Sequence, residues 1–256
     1  IRTYVKTNPE ANYYVPIKLL TFEQKAKFDA LAAEDYNIQG VWFEATYKRV
    51  YPLSTLACHV IGFASNDNVG SYGLEEFYNE ILNGTTGREY GYLSGDSTVE
   101  RTIKPAVDGY TIHSTIDANI QAIVEKHLLA FNEQYKNNYR FGNGAENVGC
   151  IIMDVNTGEI LAMASYPNFD LNNIYDKNAL LGSVLIDETG HYTDSYVTQD
   201  VLDTMQGDWL NYNLYGLWKN FCISDTYEPG STIKPFTVAT ALETGAITGN
   251  EVYQCN

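Results

Sequence analysis

Glu228-Pro229-Gly230-Ser231-Thr232-Ile233-Lys234-Pro235-Phe236 is the stretch on which the reading of this sequence turns. Its core is Ser-x-x-Lys. If Ser231 opens a helix, Lys234 lies one turn on and on the same face, so a hydroxyl faces an amine. The start of that helix adds unpaired N–H groups and partial positive charge, which favour an alkoxide and an acyl oxyanion. A hydroxyl attacks at neutral pH only with a base beside it. Lys fills that role when burial or a neighbouring cation lowers its pKa. The same spacing also fits a capping Ser followed by a surface Lys. Roughly a third to a half of chains with this Ser and Lys content contain it by chance, so the surrounding sequence has to decide.

Working outward, Thr226–Gly230 reads as a turn and Ser231–Glu243 as an apolar helix, with Ala239–Ala246 expected in a core. Upstream, Gly149–Val155 and Glu159–Ser165 are apolar runs joined by Asn156-Thr157-Gly158. They predict a hairpin buried on both faces or nearly so. Ile120, Ile123, Val124, His127, Leu128 and Phe131 recur at helical spacing behind Asp117, a good N-cap. Tyr110–Ile116 alternates as a strand does. Gly87–Thr102 looks like hairpin material, and Pro105 and Asp108-Gly109 place a domain boundary near residue 106. Before it, Thr21 caps a helix running to about Ala33, and Gly40–Tyr47 reads as a strand. Gly62 ends a short helix, residues 65–73 form a loop, and Leu74–Leu82 is a helix closed by Asn83-Gly84. Residues 166–208 are rich in loops.

Composition excludes several functions. The 256 residues carry 16 Lys+Arg against 32 Asp+Glu, a formal charge of −16. That balance opposes general nucleic-acid binding and docking on anionic lipid. Hydrophobic residues make up 45% and charged residues 19%, as in a packed globular protein. No run is long enough for a membrane span. The four cysteines, Cys58, Cys150, Cys222 and Cys255, form no C-x-x-C pair and read as small buried hydrophobes. His59 and His113 lie in apolar stretches and read as hydrogen-bonded core residues. Glu75-Glu76 sits on one helix, where a glycosidase would need carboxylates facing across a cleft. Tyr135–Arg140 mixes aromatic and basic residues and reads as a solvated loop. Trp209, Tyr212, Tyr215 and Trp218 recur every third residue. They read as an aromatic packing face, with a sugar-stacking groove as the sharper alternative.

Tyr227–Pro235 closely resembles the active-site motif of class B penicillin-binding proteins, the peptidoglycan D,D-transpeptidases. Asp154–Ser165 resembles that family's hairpin, and Pro167-Asn168-Phe169-Asp170 the segment after it. Asp108-Gly109, Thr115-Ile116-Asp117 and Gln121 resemble the start of its transpeptidase domain. Arg49, Tyr51-Pro52, Ala57, His59-Val60, Gly62, Gly73-Leu74-Glu75 and Gly84 resemble its N-terminal pedestal. These matches run in family order from about residue 49 to 243.

The resemblance implies an α+β fold in two parts. Residues 1–106 would be a pedestal, or dimerisation-like domain, of short strands and helices. Residues 107–256 would be the N-terminal portion of a transpeptidase domain, an antiparallel sheet with packed helices. Ser231 would be the nucleophile acylated by a D-Ala-D-Ala stem peptide or a β-lactam, Lys234 its base, and the Ser231 backbone N–H half of an oxyanion hole. No metal or organic cofactor is implied, and the pedestal histidine would be structural. Partners would be peptidoglycan stem peptides, β-lactams and, through the pedestal, cell-wall synthesis proteins. The protein would sit on the outer face of the cytoplasmic membrane, held by an N-terminal helix outside this sequence. The family's Ser-x-Asn and Lys-Thr-Gly or Lys-Ser-Gly motifs do not occur here, so the native chain is expected to continue, and this segment alone to be inactive. Two other readings are a non-catalytic interaction module of the cell-wall machinery and a β-lactam sensor or β-lactamase.

Overall fold

The computed structural model describes residues 2–11, 13–18, 20–34, 40–44, 48–65, 68–93, 99–252 and 254. Positions 45–47 of the expected strand, 66–67 of the expected loop, 94–98 of the expected hairpin, and Cys255 lie outside the described residues. The chain divides into two compact units, residues 1–49 and 50–256.

The first unit holds α1 (Arg2–Thr7) and α2 (Phe22–Glu34). Thr21 caps α2 as the sequence indicates, and does so reciprocally. Its hydroxyl accepts from the Gln24 N–H at 3.2 Å, while the Gln24 side chain accepts from the Thr21 N–H at 2.9 Å. Gly40–Glu44 is not paired as a strand. Phe43 instead meets the edge of Phe28 on α2 at 5.3 Å, so packing on a helix overrides its β propensity.

The second unit begins with α3 (Cys58–Ile61), closed by Gly62 at φ 70°. A small antiparallel pair follows, β1 (Phe63–Ala64) and β2 (Gly70–Ser71), so the expected loop contains a strand. Next come α4 (Gly73–Phe77) and α5 (Asn79–Asn83), two short helices meeting at Tyr78 where one was expected. β3 (Arg88–Leu93) and β4 (Val99–Lys104) form the anticipated hairpin. Asp117 caps α6 (Ala118–Tyr135), accepting from the N–H groups of Asn119 and Ile120 at 2.8 and 3.0 Å.

The expected strand over Tyr110–Ile116 does not form, and His113 is exposed and outside any core. The Tyr110 N–H at its start donates to the Ile81 carbonyl at 2.9 Å, and the run meets a further neighbour at its end. There the Thr115 hydroxyl donates to the Ile160 carbonyl at 2.7 Å and the Asp117 N–H to the Leu161 carbonyl at 2.9 Å. Alternation without a ladder partner is insufficient to make a strand.

The hairpin read from the sequence is β5 (Val148–Met153) and β6 (Ile160–Tyr166), with Cys150 opposite Ala164. Asp154 fixes its turn by accepting from the Asn156 N–H at 2.7 Å. One face packs on α6 through Val124, Ala162 and Ala164, with Ile120, Leu128, Cys150 and Ile152 around them. The other face is covered only in part. Ile151 and Met153 remain 45% and 53% exposed, so the expectation of burial on both faces fails for β5. Gly149 explains where cover does exist. A Cβ there would lie 2.8 Å from the Cys222 sulfur, so its absence lets the short helix that carries Cys222 lie close.

Residues 166–208 hold more structure than their composition suggests. They contain β7 (Val184–Ile186), β8 (Tyr192–Tyr196) and α7 (Gln199–Thr204), followed by α8 (Gly207–Trp218), α9 (Phe221–Ser224) and α10 (Lys234–Glu243). The main core joins Tyr51, Cys58 and Phe63 to Phe169, Leu171, Leu180, Val197, Leu202, Met205, Leu214, Leu217 and Trp218. Trp218 is its hub. Its ring lies 4.8 Å from Phe63 and 5.7 Å from both Tyr72 and Tyr175. The aromatic spacing on α8 is therefore a packing face at its C-terminal end.

Candidate active site

The segment carrying Ser231 is anchored at its upstream end. Asn220 is buried and caps α9 by accepting from the Cys222 N–H at 3.0 Å. Its amide nitrogen lies 3.4 Å from the Met163 sulfur on β6 and 3.5 Å from the His59 carbonyl. Lys219 pairs with Asp225 across the helix, and that hydrogen bond holds the ammonium above its ordinary pKa.

Residues 223–240 are all exposed. Gly230 turns it at φ 55°, a conformation in which other residues are strained. A 3₁₀ turn over Gly230–Ile233 leads directly into α10. It is closed by the Thr232 N–H donating to the Pro229 carbonyl at 3.2 Å, and by the Thr232 hydroxyl donating to the same oxygen. Pro235 sits in the first helical turn, where its missing N–H leaves no bond unmade.

In a 3₁₀ turn, residues three apart eclipse. The structure thus carries Ser231 and Lys234 on successive levels of one side, as the sequence indicates, and the Lys234 N–H is bonded to the Ser231 carbonyl. Both side chains are exposed. Among the described residues neither makes a side-chain hydrogen bond, so the amine does not touch the hydroxyl it would activate. The expected core helix is also open. Phe236 and Val238 are 69% and 50% exposed, because among the described residues only the 3₁₀ turn packs extensively on α10.

The tightest polar constellation lies behind this segment. His59 is buried, its Nε2 2.9 Å from the Leu217 carbonyl on α8 and its Nδ1 3.1 Å from the Ser165 hydroxyl on β6. A carbonyl only accepts, so Nε2 carries the proton and Nδ1 is the acceptor. Burial pushes His59 down to about 4 and the adjacent Cys58 thiol up to about 12, keeping both neutral. This is the hydrogen-bonded core histidine that the sequence suggests. Cys58 is buried as expected, whereas Cys150 and Cys222 are only half-buried.

A second network was not legible. Gln121 is fully buried, and its amide pairs with both backbone groups of Met163 at 2.9 Å. It also donates to Glu125 at 2.8 Å, and Glu125 accepts from the Ala57 N–H at 2.7 Å. The spacing of Gln121 and Glu125 one helical turn apart was the available clue. Among the described residues no group of His, Cys, Asp and Glu side chains is placed to hold a metal ion. No helix among them is long and apolar enough to cross a membrane.

Comparison with known proteins assigns both halves of the sequence. Residues 1–114 match the family described as the Penicillin-binding Protein dimerisation domain, and residues 148–256 match the Penicillin binding protein transpeptidase domain. The chain is 28% identical over 222 residues to "Peptidoglycan D,D-transpeptidase FtsI" of Escherichia coli (strain K12), covering 84% of this chain and 30% of that protein. It is 26% identical over 261 residues to "Peptidoglycan D,D-transpeptidase MrdA" of the same strain, covering 92% of this chain and 34% of the relative. The chain thus spans about a third of the length of these curated relatives. Among solved structures, Penicillin Binding Protein 2X from Streptococcus thermophilus superposes with a TM-score of 0.50 at 26% identity. That match covers 66% of this chain and 26% of the other.

Proposed function

Because the chain belongs to the class B penicillin-binding proteins, their dimerisation domain followed by sequence of their transpeptidase domain, we propose that it is part of a peptidoglycan D,D-transpeptidase. The observation that carries this reading is the Ser231-x-x-Lys234 turn, set within a chain whose two halves both match that family.

In the proposed reaction the Ser231 oxygen attacks the carbonyl of the D-Ala-D-Ala bond in a stem peptide. Its proton passes to Lys234, and the terminal D-Ala leaves as the amine. The resulting Ser231 ester is then attacked by an acceptor amine from a second stem peptide, which restores the hydroxyl. The Ser231 backbone N–H is half of the oxyanion hole. A β-lactam enters the same first step and stays as the ester. The segment alone is proposed to be inactive, a reading supported by the lack of a side-chain hydrogen bond between Ser231 and Lys234 among the described residues.

The protein is proposed to work on the outer face of the cytoplasmic membrane. Residues 1–106 are proposed as the pedestal and 107–256 as the N-terminal portion of the transpeptidase domain, with Tyr51, Cys58 and Phe63 of the first packed in one core with Leu214, Leu217 and Trp218 of the second. Pedestal residues 1–106 are proposed to dock cell-wall synthesis proteins, with exposed Phe22 and Trp42 among the side chains available to a partner.

The test is intact-mass analysis of the full-length protein with and without benzylpenicillin. A one-to-one adduct mapping to the Ser231 peptide is expected, and Ser231→Ala should abolish it. An unlabelled full-length protein, or a Ser231→Ala variant that still takes up the drug, overturns the assignment.

A further inference from the structure

A cleft of about 460 Å³ opens between the loop after α6, the β7–β8 hairpin and α8, apart from the Ser231 turn. Its size is in the range of small-molecule sites, roughly 300–1,000 Å³. We propose that this cleft binds a neutral saccharide.

The charge on its rim excludes an anion. Among the described residues Arg140 is the one cation lining the cleft. Its guanidinium stands 4.8 Å from the centre of the Tyr196 ring and is paired with Glu146 at 3.0 Å. Asp194 adds a second carboxylate, so the rim is net negative within a chain of charge −16. The wall sets carboxylate, amide, hydroxyl and guanidinium groups beside Leu180, Val184 and Ile186, and a purely apolar ligand would leave those polar groups unmatched.

What remains is a neutral molecule with many hydroxyl groups and C–H faces. Tyr192, 64% exposed, offers a ring face for those C–H groups and a phenol tip for the hydroxyls, while Tyr196 is taken up by Arg140, which stacks on its ring and bonds its hydroxyl. Ser183 lines the cleft, and its buried hydroxyl has no hydrogen-bond partner among the described residues. The neighbouring Asn143 amide nitrogen is unpaired in the same way, while its backbone N–H holds the Gly182 carbonyl at 2.9 Å. Buried polar groups without partners are uncommon in native folds, and here two lie one residue apart across a backbone contact.

The floor is rigid. Asn213 bonds both backbone groups of Ile186, accepting at 2.9 Å and donating at 2.8 Å, and the Trp209 indole donates to the same carbonyl at 2.8 Å. A preformed floor lowers the ordering cost of binding. Gly216 lets α8 lie close against β7, since a Cβ there would come within 2.9 Å of the Ile186 side chain.

The probe is the tetramer of N-acetylglucosamine, titrated calorimetrically into the full-length protein. Choosing an N-acetylated sugar rests on the transpeptidase reading, whereas the cleft's chemistry does not. Saturable binding at roughly millimolar Kd or tighter is expected. Tyr192→Ala should weaken it about tenfold. Ser183→Ala should weaken it several-fold without lowering Tm, because it removes a hydroxyl that has no partner among the described residues. Absence of saturable binding overturns the proposal, as does binding that both substitutions leave untouched. A Ser183→Ala variant with lowered Tm and full affinity makes the hydroxyl structural and also overturns it. Benzylpenicillin labelling of Ser231, read on the same samples, separates the two claims. Labelling without sugar binding defeats the cleft alone, and sugar binding without labelling defeats the transpeptidase reading alone.

Discussion

Acid should destabilise this fold through His59. The ring is buried between α3, β6 and α8, with Nε2–H given to Leu217 and Nδ1 accepting from Ser165. Folding therefore selects the neutral imidazole, and its pKa falls from 6.5 to about 4. The drop is worth roughly 3 kcal/mol at about 1.4 kcal/mol per unit. The unfolded chain takes up the proton first, so the contribution is complete above 6.5 and is lost as the pH falls from 6.5 toward 4. Neutral Cys58 and the nearby Glu125 are the titratable groups beside it. Urea unfolding of the protein and a His59→Gln variant, compared at about pH 7.5 and about pH 4.5, isolates the effect from the other carboxylates. The stability gap between the two proteins should shrink by roughly 2–3 kcal/mol at the lower pH. Parallel pH curves would refute the assignment of a buried neutral histidine.

Two further substitutions probe the same region. Gln121→Leu leaves the N–H and carbonyl of Met163 without their side-chain partner and should cost about 2–4 kcal/mol in urea unfolding; a loss under about 1 kcal/mol would mean the amide is replaceable. Gly62→Ala should cost about 3 kcal/mol or more, seen as a fall in Tm. The site has φ 70°, and the new Cβ would lie 1.8 Å from the Tyr72 carbonyl, a backbone atom that cannot swing aside. An unchanged Tm would show that the α3–α4 approach is looser than this.

Local chemistry was legible in the sequence wherever one or two residues decide it. Thr21 with Gln24, Asp117 before α6, and the Asp154 turn are each fixed within four residues, and each is where the sequence places it. The Ser231-x-x-Lys234 spacing belongs to this class, because a single turn sets which side chains share a side. Tyr110–Ile116 failed because a strand is a property of a pair, and nothing in its own alternation shows whether a ladder partner exists. His113 and His59 sit in similar apolar surroundings in sequence, yet one is exposed and the other buried. The difference is that Leu217 and Ser165 arrive at His59 from more than a hundred residues away. The cleft was illegible for the same reason, since Arg140, Ser183 and Tyr192 meet only through tertiary packing.

That long-range packing also decides what the pedestal is physically. Family matching divides the sequence by descent, but the core does not follow that division. Tyr51, Cys58 and Phe63 share one cluster with Leu214, Leu217 and Trp218, and His59 bonds to β6 and α8. Separating the chain near residue 106 would bare Trp218 on one side and Phe63 on the other, each now 4% exposed. Removing a buried aromatic partner typically costs about 3–5 kcal/mol, a large share of the stability of a domain. The segment from Tyr51 to Tyr72 therefore acts as part of the platform behind the Ser231 segment, to which Asn220 connects it through the His59 carbonyl. Asn220, the capping residue of α9, carries this connection toward the Ser231 turn.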